Sequence, residues 1–114
     1  MRWIVLTALL ASVPNHVNLD RPANEADLLR AYALGKCLAK AYDQPPFVDD
    51  ADWSANMYFQ MGKLSKGDPY QDVLKLIPTD LKTPTIYENH VIAVHKCIEF
   101  YESPGLKAFA KKQR

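Results

Sequence analysis

Eight prolines within 114 residues limit how long any element of this chain can run. Proline has no amide hydrogen to donate and its ring crowds the preceding turn, so it opens or closes a helix rather than sitting inside one. After residue 24 the breaks fall at Pro45-Pro46, Pro69, Pro78, Pro84 and Pro104. Between them apolar residues recur at helical spacing, most plainly Tyr70, Val73, Leu74 and Ile77 at i, i+3, i+4 and i+7. Nowhere does apolar–polar alternation persist over the length of a strand. The chain is therefore expected to fold as an all-α, compact bundle of about five helices. It is one domain, because a second would leave each half too small for its own core.

The first helix is expected over Glu25 to about Tyr42, opened by the capping pair Asn24 and Asp27 and ended by Pro45-Pro46. Its apolar face is Leu28, Leu29, Tyr32, Leu34, Cys37, Leu38 and Ala41. Asp49 or Asp50 can cap a second helix through about Met61, with Ala51, Ala55, Tyr58 and Phe59 inward and Gly62 as its stop. Asp68-Pro69 reads as a cap followed by proline at the first helical position, and Pro78 closes that short helix. A loop over Thr79–Pro84 leads to a long helix from about Thr85 to Glu102, with Val91, Val94, Cys97, Ile98 and Tyr101 inward. Ser103-Pro104 repeats the cap-then-proline signal and opens a last helix with Leu106, Phe109 and Ala110 inside.

The start of the chain has a different character. Met1-Arg2 is a short cationic start, and Trp3 to Ala11 is an apolar run interrupted only by Thr7. Nine residues are too few to span a bilayer, which needs roughly 20 in helix. They fit the apolar centre of a secretory signal, expected over residues 1–16, ahead of a helical domain over residues 20–114. The competing reading is a buried N-terminal helix. Net charge is +1, from 14 basic against 13 acidic residues, and loss of the leader with Arg2 leaves 13 against 13. A neutral chain lacks the field that a dedicated nucleic-acid or membrane-surface binder needs, so neither partner is expected of the mature form.

Two cysteines are too few for a four-ligand zinc site or a dense disulfide scaffold. Cys37 and Cys97 lie on the apolar faces of the two longest helices. If the chain is exported, one disulfide joining those helices is the simplest use of the pair; otherwise they pack as small hydrophobes. The bridge would close a loop of about 60 residues, for which chain entropy gives roughly 4 kcal/mol. His90 and His95 precede Cys97 on its own helix at spacings that do not bring an imidazole to the thiol, although either could reach Cys37 across an interface. No oxyanion site accompanies such a pair, and His95, Cys97 and Cys37 lack a fourth metal ligand. No catalytic residue, metal or cofactor is expected.

Charges sort toward helix ends. Asp43, Asp49, Asp50 and Asp52 surround the start of the second helix, and Lys107, Lys111, Lys112 and Arg114 close the last, as helix dipoles favour. Most aromatic residues fall at core spacing. Trp53 does not: it lies off the Ala51–Ala55–Tyr58 face, and an exposed tryptophan there would suit a partner surface.

Three blocks give the chain a family likeness. Ala33 to Tyr42 (ALGKCLAKAY), Asp49 to Gly62 (DDADWSANMYFQMG) and Lys96 to Ser103 (KCIEFYES), with Leu106 after them, resemble the type VI secretion amidase immunity proteins. The likeness is to the branch that neutralises the fourth class of secreted cell-wall amidase, and it spans about Ala33 to Leu106. It implies a periplasmic, signal-bearing helical protein with a Cys37–Cys97 disulfide, often a homodimer, and no enzyme activity. The implied partner is an amidase with a Cys–His active site that cuts peptide crosslinks of peptidoglycan. The implied mechanism is insertion of a surface loop into the amidase cleft, which requires a pre-organised loop and complementary shape. In this sequence the candidate loop is Pro78 to Tyr87, with Asp80, Leu81, Lys82 and Thr83 at its tip and Thr79 and Tyr87 as further binding candidates. Lys63, at the head of the Lys63–Gly67 loop, and Trp53 are secondary candidates. Two other classes compete: a small-ligand-binding helical periplasmic protein and a thiol enzyme using Cys37 or Cys97.

Overall fold

The computed structural model describes residues 24–63, 68–84 and 90–113. The proposed signal segment, residues 64–67, Tyr87 and Arg114 lie outside the described residues. Among the described residues there are five α-helices and no strand: α1 (Glu25–Ala41), α2 (Pro45–Met61), α3 (Asp68–Val73, continued by one 3-10 turn, Leu74–Leu76), α4 (Ala93–Glu102) and α5 (Pro104–Lys112). None of them is long and apolar enough to cross a membrane.

α1 is the central helix and packs against each of the other four. Asn24 opens it, its side-chain oxygen accepting the Ala26 amide at 2.7 Å. Leu28, Leu29, Tyr32, Ala33, Cys37 and Ala41 are buried, while Leu34 and Leu38 pack partly buried against the same core. Gly35 has a specific purpose. A Cβ there would lie 2.9 Å from the Ala55 Cβ and 3.1 Å from the Ala51 carbonyl. Its missing side chain and the two alanines let α1 and α2 cross at close range.

α2 begins five or six residues earlier than a cap at Asp49 or Asp50 implies. Gln44, held extended as a residue before proline must be, is the N-cap, and Pro45-Pro46 supply the first turn. The prolines that close the first helix thus also open the second. Asp49 and Asp50 are not caps but lie in the second turn, and Asp52 pairs with Lys36 of α1 at 3.1 Å.

The period read in α3 holds, with Tyr70, Val73 and Ile77 buried. The helix tightens to a 3-10 turn at Leu74–Leu76 because Ile77 must be extended ahead of Pro78. α4 departs most from expectation. It begins at Ala93, its first bond running from the Lys96 amide to the Ile92 carbonyl. Val91 and Ile92, adjacent β-branched residues with weak helix preference, stand before it. Its inward face is Ala93, Cys97 and Phe100, and the expected Val91, Val94 and Ile98 are instead exposed. Both faces of this helix are apolar, so periodicity alone could not choose between them.

A Cys37–Cys97 disulfide, both residues fully buried and with Cα atoms 5.8 Å apart, fixes α4 against the middle of α1. Arg30 adds a second tie. Its guanidinium donates to the Tyr101 carbonyl at 2.8 and 3.3 Å, pairs with Glu102 at 3.1 Å, and lies 4.1 Å over the Tyr101 ring. It thereby satisfies one of the carbonyls that the end of a helix leaves open. Ser103 joins α4 to α5, its hydroxyl donating to the Phe100 carbonyl and accepting the Leu106 amide.

Candidate functional site

The stretch over residues 78–84, which follows α3, is braced from three sides. Pro78 sets its entry, and Asp80 to Thr83 form a turn closed by the Thr83 amide donating to the Asp80 carbonyl at 3.1 Å. Within the turn Leu81 points into the core, 3% exposed. The expectation that Leu81 forms part of an outward tip is corrected: it is the peg beneath the turn. Its isolation among polar residues in the sequence gave no period from which to read its direction. Thr79, Asp80, Lys82 and Thr83 are exposed and make the outer surface.

From the α4 side, Lys96 sends its ammonium to the carbonyls of Asp80 at 2.6 Å and Thr83 at 3.1 Å, with the Asp80 carboxylate 3.6 Å away. From the α1 side, Asp43 pairs with Lys82 at 2.7 Å. The local sequence marks no role for Lys96 and places Asp43 only within a dipole-matching cluster. Contacts spanning 13 to 39 residues of sequence leave no local signal.

The secondary candidates lie elsewhere. Trp53 is 76% exposed on the outer face of α2, beside Met57 and above an open hollow that Asn56 and Gln60 also line. Lys63 has an exposed side chain, while its amide donates to both oxygens of Glu25 at 2.9 and 3.0 Å, tying the end of α2 to the start of α1. A further apolar surface was not foreseen. Val91, Ile92, Val94 and Ile98 are exposed and, with Tyr42 and His95, line a shallow depression. Tyr42 adjoins Asp43, so this surface borders the braced turn.

Both cysteines are in the disulfide, so neither offers a thiolate. His95 is exposed and lies 3.3 Å from Glu99 one turn on. Among the described residues no group of three histidine, cysteine or acidic side chains could hold a metal ion.

Fold and loop together define a small helical protein, cross-linked through its core, that presents one stiffened turn. The chain belongs to the type VI secretion system amidase immunity family, Tai4, whose model matches residues 27–110. It is accordingly an immunity protein for a type VI secretion amidase. The fold is similar to that of a chain in the solved structure of the effector–immunity system Tae4/Tai4 from Salmonella typhimurium, with a TM-score of 0.72 and 24% identity. That alignment covers 85% of this chain and 96% of the other. No curated protein matches the sequence.

Proposed function

We propose that this protein binds its cognate amidase and blocks the active site with the loop from Pro78 to Tyr87, so protecting the cell that makes the toxin. The observation that carries the reading is the bracing of the Asp80–Thr83 turn by Leu81, Lys96 and Lys82. A turn held in one shape before contact does not lose that freedom on binding, which is what an inhibitory plug requires. The outward Thr79, Asp80, Lys82 and Thr83 offer donors and acceptors to a polar cleft, with Trp53, Lys63 and Tyr87 as further contacts.

The partner proposed is an amidase with a Cys–His active site acting on peptidoglycan peptides, a counterpart to the effector named in the Salmonella structure. The setting is the periplasm, reached through a signal over residues 1–16 and leaving a helical domain over residues 20–114. A buried disulfide joining two helices suits such an oxidising compartment. The protein acts by binding and not as an enzyme. We further read the exposed Val91, Ile92, Val94 and Ile98 surface as the homodimer contact, since so apolar a face is costly to leave in water.

The test is titration of the purified oxidised protein against its cognate amidase hydrolysing peptidoglycan. Loss of hydrolysis at equimolar protein is expected; full activity at excess protein would end the proposal.

A further inference from the structure

We infer that Lys96 is the positioning residue of the inhibitory loop: its ammonium holds both ends of the Asp80–Thr83 turn in the shape that enters the amidase. The inference rests on the proposed reading of the loop and adds a residue that reading does not need to contact the toxin.

The geometry is unusual for a surface lysine. Its side chain is only 17% exposed, and the ammonium spends its donors on one short stretch of chain. It reaches the Asp80 carbonyl at 2.6 Å and the Thr83 carbonyl at 3.1 Å, with the Asp80 carboxylate 3.6 Å away. Asp80 and Thr83 are the first and last residues of the turn, already joined by the Thr83 amide to Asp80 carbonyl bond. One cation thus ties the Thr83 carbonyl to the Asp80 carbonyl, which also accepts the Thr83 amide. Charge-assisted hydrogen bonds of this kind are stronger than neutral ones. The Asp43–Lys82 pair on the other flank is between exposed side chains and contributes less.

The base of this lysine is itself fixed. Lys96 immediately precedes Cys97, whose disulfide to Cys37 pins α4 to α1. A rigid support therefore runs from the core cross-link, through one residue of α4, to the turn. Leu81 pegs the centre of the turn to the core while Lys96 holds its ends. Without the ammonium, the turn keeps its Leu81 peg, the single Thr83-to-Asp80 bond and the exposed Asp43–Lys82 pair, and the Thr83 carbonyl is no longer held. The binding-competent shape then becomes a fraction of the ensemble, and apparent affinity falls by that fraction.

The experiment compares wild type, Lys96→Met and Lys96→Arg in the full oxidised chain, by amide hydrogen exchange and by inhibition of the cognate amidase. Met keeps the apolar stem and removes the charge; Arg restores a donor fork. For Lys96→Met we expect faster exchange at Thr83, unchanged protection around Cys97, and affinity about tenfold weaker, as for a turn that is correctly shaped one-tenth of the time. The loss should fall mainly on the association rate, and Lys96→Arg should recover much of both effects. Unchanged inhibition by Lys96→Met overturns the inference. So does weaker inhibition with Thr83 exchange unaltered, which would make Lys96 a direct contact. Should Lys96→Met not fold, Lys96→Gln takes its place, and global unfolding of both would make Lys96 a core stabiliser and reject the proposal. If wild type itself leaves the amidase active, the reading of the loop as a plug falls, and exchange at Thr83 still decides whether Lys96 orders the turn.

Discussion

Gly35 and Tyr70 show how single positions constrain this bundle. At Gly35 the obstacle to any side chain includes the backbone carbonyl of Ala51, which cannot turn aside. Gly35→Val is expected to push α1 and α2 apart and destabilise the fold by about 2 kcal/mol, measured by denaturant unfolding. Tyr70 packs edge-on to the rings of Tyr32 and Phe59, yet its buried hydroxyl has no hydrogen-bond partner among the described residues. Tyr70→Phe keeps the packing and removes an unpaired polar group, so it should be neutral or more stable by about 1 kcal/mol. Burial, then the Glu25 carboxylate and then Tyr32, hold the Tyr70 phenol above its ordinary value of 10.0. The unfolded chain releases that proton first, so this contribution is complete below pH 10 and is lost as pH rises beyond it. An alkaline melting series should find Tyr70→Phe less sensitive than wild type over that range. Equal slopes would remove Tyr70 from the account. The close crossing at Gly35 and the inward turn of Leu81 were not legible from sequence, because each depends on a partner supplied by another element.

At the scale of elements, proline and capping chemistry carried most of the information. Ser103-Pro104 marks the start of α5, and Tyr70–Val73–Ile77 marks the inner face of α3, because local bonds and local spacing determine both. Ser103 serves two helices at once, so Ser103→Ala should cost about 1–2 kcal/mol in thermal unfolding. At the start of α2 two good signals compete, and a proline pair in the first turn prevails over two aspartates. The inward face of α4 differs from expectation for a deeper reason. Val91, Val94 and Ile98 form an apolar stripe that suits a core, yet packing against α1 through Cys97 turns that stripe outward. If the stripe is covered by a second copy, Val94→Asp and Ile98→Asp should leave the fold intact and yield monomers in sedimentation. Wild type sedimenting as a monomer would place self-association outside the protein's behaviour.

For the whole molecule, one covalent link and one loop summarise the design. The disulfide, the simplest use of two cysteines in an exported chain, joins the middle of α1 to α4. Its loss, by Cys37→Ser paired with Cys97→Ser, should cost about 2–5 kcal/mol, a large part of the stability of a domain this size. The same link holds α4, and with it Lys96, in place beneath the turn. The reduced protein is therefore expected to bind the amidase less well even where it remains folded. The loop's position between two proline-bounded segments was legible in the sequence; its bracing was not, since Asp43, Leu81 and Lys96 meet only in the folded chain. The proposed inhibition rests on a turn, stiffened in advance, that enters the toxin's cleft. The most direct measurement is inhibition of the cognate amidase by Lys82→Glu beside wild type, with melting temperatures taken on both. Lys82 is exposed and its pair with Asp43 is a surface one, worth at most about 1 kcal/mol, so stability should hardly move. Inhibition weakened tenfold or more at an unchanged melting temperature is the expected result. Full wild-type inhibition by Lys82→Glu would contradict the claim and move the binding surface away from this loop.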